Sequence, residues 1–315
     1  MKITKAAIFA IAGALTVAVP ALPQGEKQGQ GSAIVTILPK HDGDAAPSVS
    51  PQSLNLKVNG KEAQVTNWVP LQGANSGLEL VVLLDSGSRT SLGNQMDEIA
   101  KFVKSLPPNA KAAIGYMENG RAALTGPLSA DHDAVLRGLH ITTGISGANG
   151  SPYFSLSDLA NHWPSGDNAA RREVVMVTDG VDEYNRRFDP DDPYVQAAVK
   201  DAAKAGLVVY TIYWTGRGRA DSTAYANNTG QNLMLLVAEA TGGKSFWEGL
   251  GNPVSFAPYF DELSRRFKNQ YELSFTTPFN GKPQVEQLKL KFSAPGTEVT
   301  APQQVFVTRP AVAQN

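Results

Sequence analysis

The stretch Leu78-Glu-Leu-Val-Val-Leu-Leu84 is apolar at every position but one. It shows neither the alternation of a half-exposed strand nor helical spacing, so it reads as a strand covered by helices on both faces of a parallel sheet. Val174-Val-Met-Val-Thr178 repeats the pattern. Between the two runs, Met96, Ile99, Phe102, Val103 and Leu106 mark one face of a helix over 95–106 that Pro107-Pro108 ends. A strand over 112–117, helices over 131–140 and 155–162, and a Gly- and Ser-rich connector over 144–152 fill the rest. Beyond the second run, Asp192-Pro193 opens a helix as cap and first-turn proline, and Gly206 closes it in a left-handed conformation. A strand over 207–214, a helix over 231–240 ended by Gly242-Gly243, a short strand at Phe246 and Trp247, and a helix over 255–268 complete the series. Strands separated by helices require right-handed crossovers, so the class is α/β, a doubly wound and mainly parallel sheet over 78–268.

Outside that block the period falls to two. Residues 33–77 hold a short strand, AIVTI, and the alternating Leu54, Leu56 and Val58, which run up to Asn59-Gly60. This dipeptide is the strongest short hairpin signal, because both central positions of a type I′ turn need positive φ. Residues 269–310 alternate at Tyr271, Leu273 and Phe275, at Leu288, Leu290 and Phe292, and at Val305 and Val307. The economical architecture joins both ends in a small β-sandwich with the α/β domain inserted between them; two independent flanking pieces are the alternative. At the N-terminus, Lys2 and Lys5 precede the apolar stretch Ala6–Val19, and Val19-Pro20-Ala21 offers a cleavage site, so residues 1–21 read as a secretory signal. The expectation is a secreted or periplasmic protein without a transmembrane segment after cleavage. Residues 22–32, polar and Gly-rich, are expected to be a flexible tether.

Composition removes several classes of function. Among 315 residues, 28 Lys and Arg against 29 Asp and Glu leave a net charge of -1, with no broad basic field for nucleic acid or an anionic membrane. The absence of cysteine excludes disulfides, a thiolate nucleophile and cysteine-ligated zinc. There is no G-x-S-x-G elbow, and no P-loop lysine and hydroxyl follow the glycines at 144–150. His132 and His140 stand two helical turns apart, too far to share a metal unaided, and the Asp-rich run 188–193 lacks the glycine and glutamate of a calcium loop.

In an open parallel sheet, ligands bind at the carboxyl ends of strands where strand order reverses. Two such ends carry carboxylates, in Asp85-Ser86-Gly87-Ser88-Arg89 and in Thr178-Asp179-Gly180-Val181-Asp182. Here the chain resembles the von Willebrand factor type A domain, whose first strand ends in D-x-S-x-S and whose fourth ends in Asp-Gly. The flanking VNGKEAQVTNW (58–68) and QYELSF (270–275) resemble a secreted, acidobacterial-type subfamily of it. The resemblance implies a divalent cation, magnesium or manganese, held by Asp85, hydroxyls of the first loop, a middle-loop hydroxyl at Ser151 and Asp179, with a partner's carboxylate completing the shell. Ser86 and Ser88 keep the S-x-S spacing one residue too close to Asp85, and Gly87 and Arg89 stand at the family's ligand positions. Hard cations need several oxygens in defined geometry, so the expectation is a degenerate site without a cation, in which Arg89 lies against Asp179 in its place. Asp182 reads as a turn residue or a water-mediated ligand, and Arg217 and Arg219 as cations at the mouth of the crevice. The expected function is non-enzymatic, an adhesion-type binding module for a protein or cell-surface ligand. A metal-dependent hydrolase using Asp85 and Asp179, and a purely structural envelope subunit, are the alternatives.

Overall fold

The computed structural model describes residues 27–310 apart from 42–48, 74–75, 146, 148, 168, 186–188, 217–222, 250 and 293–295. The expected signal sequence and the first part of the expected tether lie outside the described residues. The chain begins with β1 (Gln28–Pro39), β2 (Leu54–Val58) and β3 (Lys61–Pro70). Asn59 and Gly60, at φ 47° and 78°, make the hairpin turn read from the sequence. There follow β4 (Leu78–Asp85), α1 (Met96–Ser105), β5 (Lys111–Glu118), β6 (Arg121–Leu124), α2 (His132–Leu136), α3 (Pro152–Asn161), β7 (Arg171–Thr178) and α4 (Pro193–Ala205). The chain continues through β8 (Leu207–Tyr213), α5 (Ala224–Thr241), β9 (Ser245–Phe246) and α6 (Ala257–Lys268). It ends with β10 (Gln270–Pro278), β11 (Gln284–Phe292), β12 (Thr297–Thr300) and β13 (Gln304–Val307). Among the described residues, no helix is long and apolar enough to cross a membrane.

All eight residues of β4 are buried. Leu80, Val82 and Leu84 pack with Ile99 and Phe102 of α1 and Phe260 and Leu263 of α6. Val81 and Leu83 pack on the other face with Leu156 of α3, Val199 of α4 and Val237 of α5. Each such side chain contributes roughly 1.5–3 kcal/mol on full burial, which is why this strand has no polar face. The sheet order is β6-β5-β4-β7-β8-β9, parallel except for β6.

Four elements differ from the sequence reading. The helix expected over 131–140 is capped by Asp131 but stops at Leu136, because the chain bends at Gly138, where a Cβ would lie 2.0 Å from Thr125 Oγ1. The helix expected over 155–162 starts earlier, on the cap Ser151 and first-turn Pro152. The helix expected over 231–240 starts at Ala224; its first half carries Gly230, whose missing Cβ admits the carbonyl of Asp179, and so shows a weak helical pattern. Strand β6 was not read, although Asn119-Gly120, at φ 49° and 72°, repeats the hairpin dipeptide.

The two chain ends do join, but in one antiparallel sheet of order β12-β1-β10-β3-β2-β11-β13 rather than the two stacked sheets of a sandwich. The sheet curls until Gln30 of β1 bridges Thr308, just after β13, through paired backbone hydrogen bonds of 2.8 and 2.9 Å. Val35, Leu56, Leu273, Phe275 and Val307 fill the enclosed core. The tether expectation also fails over Gln28–Ser32, which pairs in register with Ser274–Pro278. Its glycines serve close packing: a Cβ on Gly31 would lie 2.6 Å from the Phe275 ring, and one on Gly29 2.8 Å from Val307.

Candidate functional site

The chain passes from β4 to β5 on one side and then to β7 on the other, so strand order reverses between β4 and β7. Asp85 ends β4 and Asp179 directly follows β7. Both line one crevice of about 20 Å³ at this carboxyl edge, together with Gly87, Ser151, Glu183 and Gly216. A space of that size admits a single water-sized group.

Each carboxylate is held by protein donors. Thr178 Oγ1 donates to Asp85 Oδ2 at 2.6 Å and the Gly87 N–H to Oδ1 at 2.8 Å. The N–H groups of Val181 and Gly216 donate to the two oxygens of Asp179 at 2.9 and 3.0 Å. Backbone crowding around Asp179 demands glycine. A Cβ on Gly216 would lie 2.1 Å from Asp179 Oδ2, and one on Gly180, at φ 71°, would lie 2.4 Å from the Gly230 carbonyl. From α3, the buried Tyr153 hydroxyl donates to the Gly180 carbonyl at 2.7 Å and fixes the turn. Burial pushes the Asp179 carboxyl from its ordinary 3.8 up to about 7; the neighbouring Asp85 charge adds to the rise, and the Val181 and Gly216 N–H groups oppose it.

Of the residues singled out from sequence, Asp85, Ser151 and Asp179 meet at the crevice, while Ser86, Ser88 and Arg89 do not line it. The Ser86 hydroxyl turns to Glu118 at 3.1 Å, and the Ser88 hydroxyl is buried without a hydrogen-bond partner among the described residues. The physical reason is the tight turn at 85–88, closed by the Ser88 N–H on the Asp85 carbonyl at 2.9 Å. Ser151 caps α3, accepting from the Phe154 N–H at 3.3 Å. The Arg89 Nε donates to the Gly216 carbonyl at 3.0 Å, so Arg89 and Asp179 grip the same residue from its two backbone groups. Arg89 and Asp179 are thereby linked through Gly216. Asp182 takes its turn role, accepting from the N–H groups of Tyr184 and Asn185 at 2.8 and 3.2 Å. Arg217 and Arg219 lie outside the described residues.

Sequence reasoning missed Thr178, Glu183 and Gly216. Thr178 looked like a strand end, yet a hydroxyl beside a strand-end carboxylate is the signal for its role. Glu183 stands four residues past Asp179 on the same loop, and its N–H donates to the Gly150 carbonyl at 2.9 Å, which brings it to the crevice rim.

Several of the oxygens that the resemblance implies as ligands are engaged elsewhere or lie off the crevice. Gly87 offers an N–H where an oxygen is needed, Ser86 faces Glu118, Ser88 lies off the crevice, and the Ser151 hydroxyl caps a helix. Among the described residues no three His, Asp or Glu side chains converge as metal ligands.

Fold and site together define an α/β domain with a narrow acidic crevice at the switch point of a mainly parallel sheet, inserted into a curled antiparallel sheet. Among solved structures, the chain is similar to an aerotolerance-related membrane protein from Bacteroides fragilis NCTC 9343 with multiple mutations to serines. The two are 14% identical over 61% of this chain and 98% of that one, with a TM-score of 0.44. It is similar also to the conserved hypothetical protein BatB from Bacteroides thetaiotaomicron, 17% identical over 60% and 97%, TM-score 0.44. The VWA domain of SpRpn10 is 10% identical over 61% and 97%, TM-score 0.40. No protein-family description and no curated protein matches the chain.

Proposed function

We propose that the chain is an exported, non-catalytic recognition module of von Willebrand factor type A character, which binds a protein or cell-surface partner through the crevice at the ends of β4 and β7 without a bound cation. The observation that carries the reading is the convergence of Asp85 and Asp179, from adjacent strands, on one crevice in which backbone N–H groups and Thr178 donate to both carboxylates. Carboxylates fixed in this way are pre-organised to accept hydrogen bonds from a partner's donors. The signal-like N-terminus supports export.

Capture from cell-envelope extract tests the reading. The wild-type protein retains a partner, Asp179→Ala loses it, and Arg89→Ala weakens it by loosening Gly216. Equal retention by wild type and Asp179→Ala removes the crevice from recognition. Turnover of ester or phosphoester substrates that depends on Asp85 would replace the reading with the hydrolase.

A further inference from the structure

Among the described residues, the antiparallel sheet closes along only half its length. Strand β13 fills the space between β11 and β1 at one end, pairing Gln284–Gln287 with Gln304–Val307 and reaching β1 at Gln30. At the other end, β12 pairs with β1 over Thr36–Pro39, its one strand partner among the described residues. The chain steps from the β1 edge to the β11 edge across Ala301, Pro302 and Gln303, where the Leu288 N–H donates to the Gln303 carbonyl at 2.8 Å. Beyond Leu288, β11 pairs only with β2 among the described residues. A groove of about 800 Å³ separates this half of β11 from Val299 and Pro302.

Among the described residues, no strand pairing joins the two walls of the groove. Backbone groups along an antiparallel strand alternate sides. The Gln287 carbonyl accepts from Asn59 on the β2 side at 2.9 Å and the Leu288 N–H points the other way, so Leu290 and Phe292 present N–H and C=O to the groove. On the far wall, Gly296 bonds Lys40 beside β1, which turns the backbone of Val299 toward the groove. Four residues, 289–292, span about 13 Å at ~3.3 Å per residue, the length of a short added strand.

We infer that this groove is a strand-addition site for an extended peptide in which apolar and acidic residues alternate. The side chains of Leu288, Leu290 and Phe292 face the apolar core, while Lys289 and Lys291 are exposed on the outer face. Across the β2 pair they meet Lys57 and Asn55, neither an acid. An added strand antiparallel to β11 lays one row of side chains beside each face, so its inner row is apolar and its outer row acidic. A second copy of this chain sets its own lysines against Lys289 and Lys291, which like-charge repulsion disfavours.

Capped peptides of equal length, one alternating valine with glutamate and one alternating valine with lysine, test the site by calorimetry and by amide hydrogen exchange on the full chain. The glutamate peptide binds at least roughly ten-fold more tightly and slows exchange at Leu290 and Phe292. Lys289→Glu with Lys291→Glu, both on the exposed face, inverts the preference. Equal affinity for the two peptides, or protection confined to other strands, overturns the proposal. So does protection of Leu290 that rises with protein concentration alone and accompanies a dimer in sedimentation, which assigns the groove to a second copy.

Discussion

Asp179 is the residue on which the site's electrostatics turn. Its carboxyl is held near 7 in the folded chain against an ordinary 3.8, chiefly by burial and then by the charge of Asp85. Between those values the folded state binds more protons than the unfolded chain, so this group's contribution to stability falls as pH rises from about 4 to about 7 and is flat on either side. Asp179→Asn removes the charge and keeps an acceptor for one of the Val181 and Gly216 N–H groups, setting its NH2 against the other. The stability of the variant relative to the parent is expected to rise as the pH goes from about 4 to about 8. Urea midpoints across that range check it, and parallel profiles for the two proteins contradict it. The two carboxylates were legible in the sequence because each directly ends an apolar run. The orientation of the nearby hydroxyls was not, since a serine at 86 or 88 carries no mark of whether a tight turn aims it at the crevice, at Glu118 or into the core.

At the scale of elements, β1 shows how glycine misleads. Gln28 to Ser32 has the composition of a flexible linker, yet Gly29 and Gly31 lie beneath Val307 and the rings of Phe275 and Phe279. A side chain at Gly31 forces those groups to shift, so Gly31→Val is expected to cost about 1–3 kcal/mol, the usual range for overpacking. Chemical denaturation measures this, and an unchanged midpoint restores the tether. The central strands of the parallel sheet and their flanking helices were readable because burial on both faces makes nearly every strand position apolar, Glu79 being the exception inside β4. The starts of α3 and α5 and the four residues of β6 were not. Their signals are a cap in a Gly-rich loop, a helix that carries Gly230 to receive Asp179, and an Asn-Gly turn with little apolar alternation after it.

Across the whole molecule, the α/β unit enters and leaves the antiparallel sheet at one buried point. The guanidinium of Arg171, at the start of β7, donates to the Ser76 carbonyl before β4 at 3.3 Å and to the Phe267 carbonyl near the end of α6 at 3.2 Å. It also pairs with Glu173 at 3.2 Å, with side-chain exposures of 3% and 0%. Removing one member strands the other's charge in the interior, so Arg171→Ala is expected to cost on the order of 3–5 kcal/mol. The unfolding transitions seen by probes in the two sheets are expected to coincide in the parent and to separate in the variant; a single transition in the variant contradicts this coupling. The insertion was legible from the change in hydrophobic period at Leu78 and after Phe267. The curled single sheet was not, because its closure rests on the bridge at Gln30 and Thr308, which alternation alone does not specify. Calorimetric titration of the purified chain with magnesium and then manganese tests most directly the proposal that the crevice between Asp85 and Asp179 acts without a cation. The expected result is no saturable heat at millimolar metal, identical in wild type and Asp179→Ala. Saturable binding with a Kd on the order of micromolar that Asp179→Ala abolishes contradicts it.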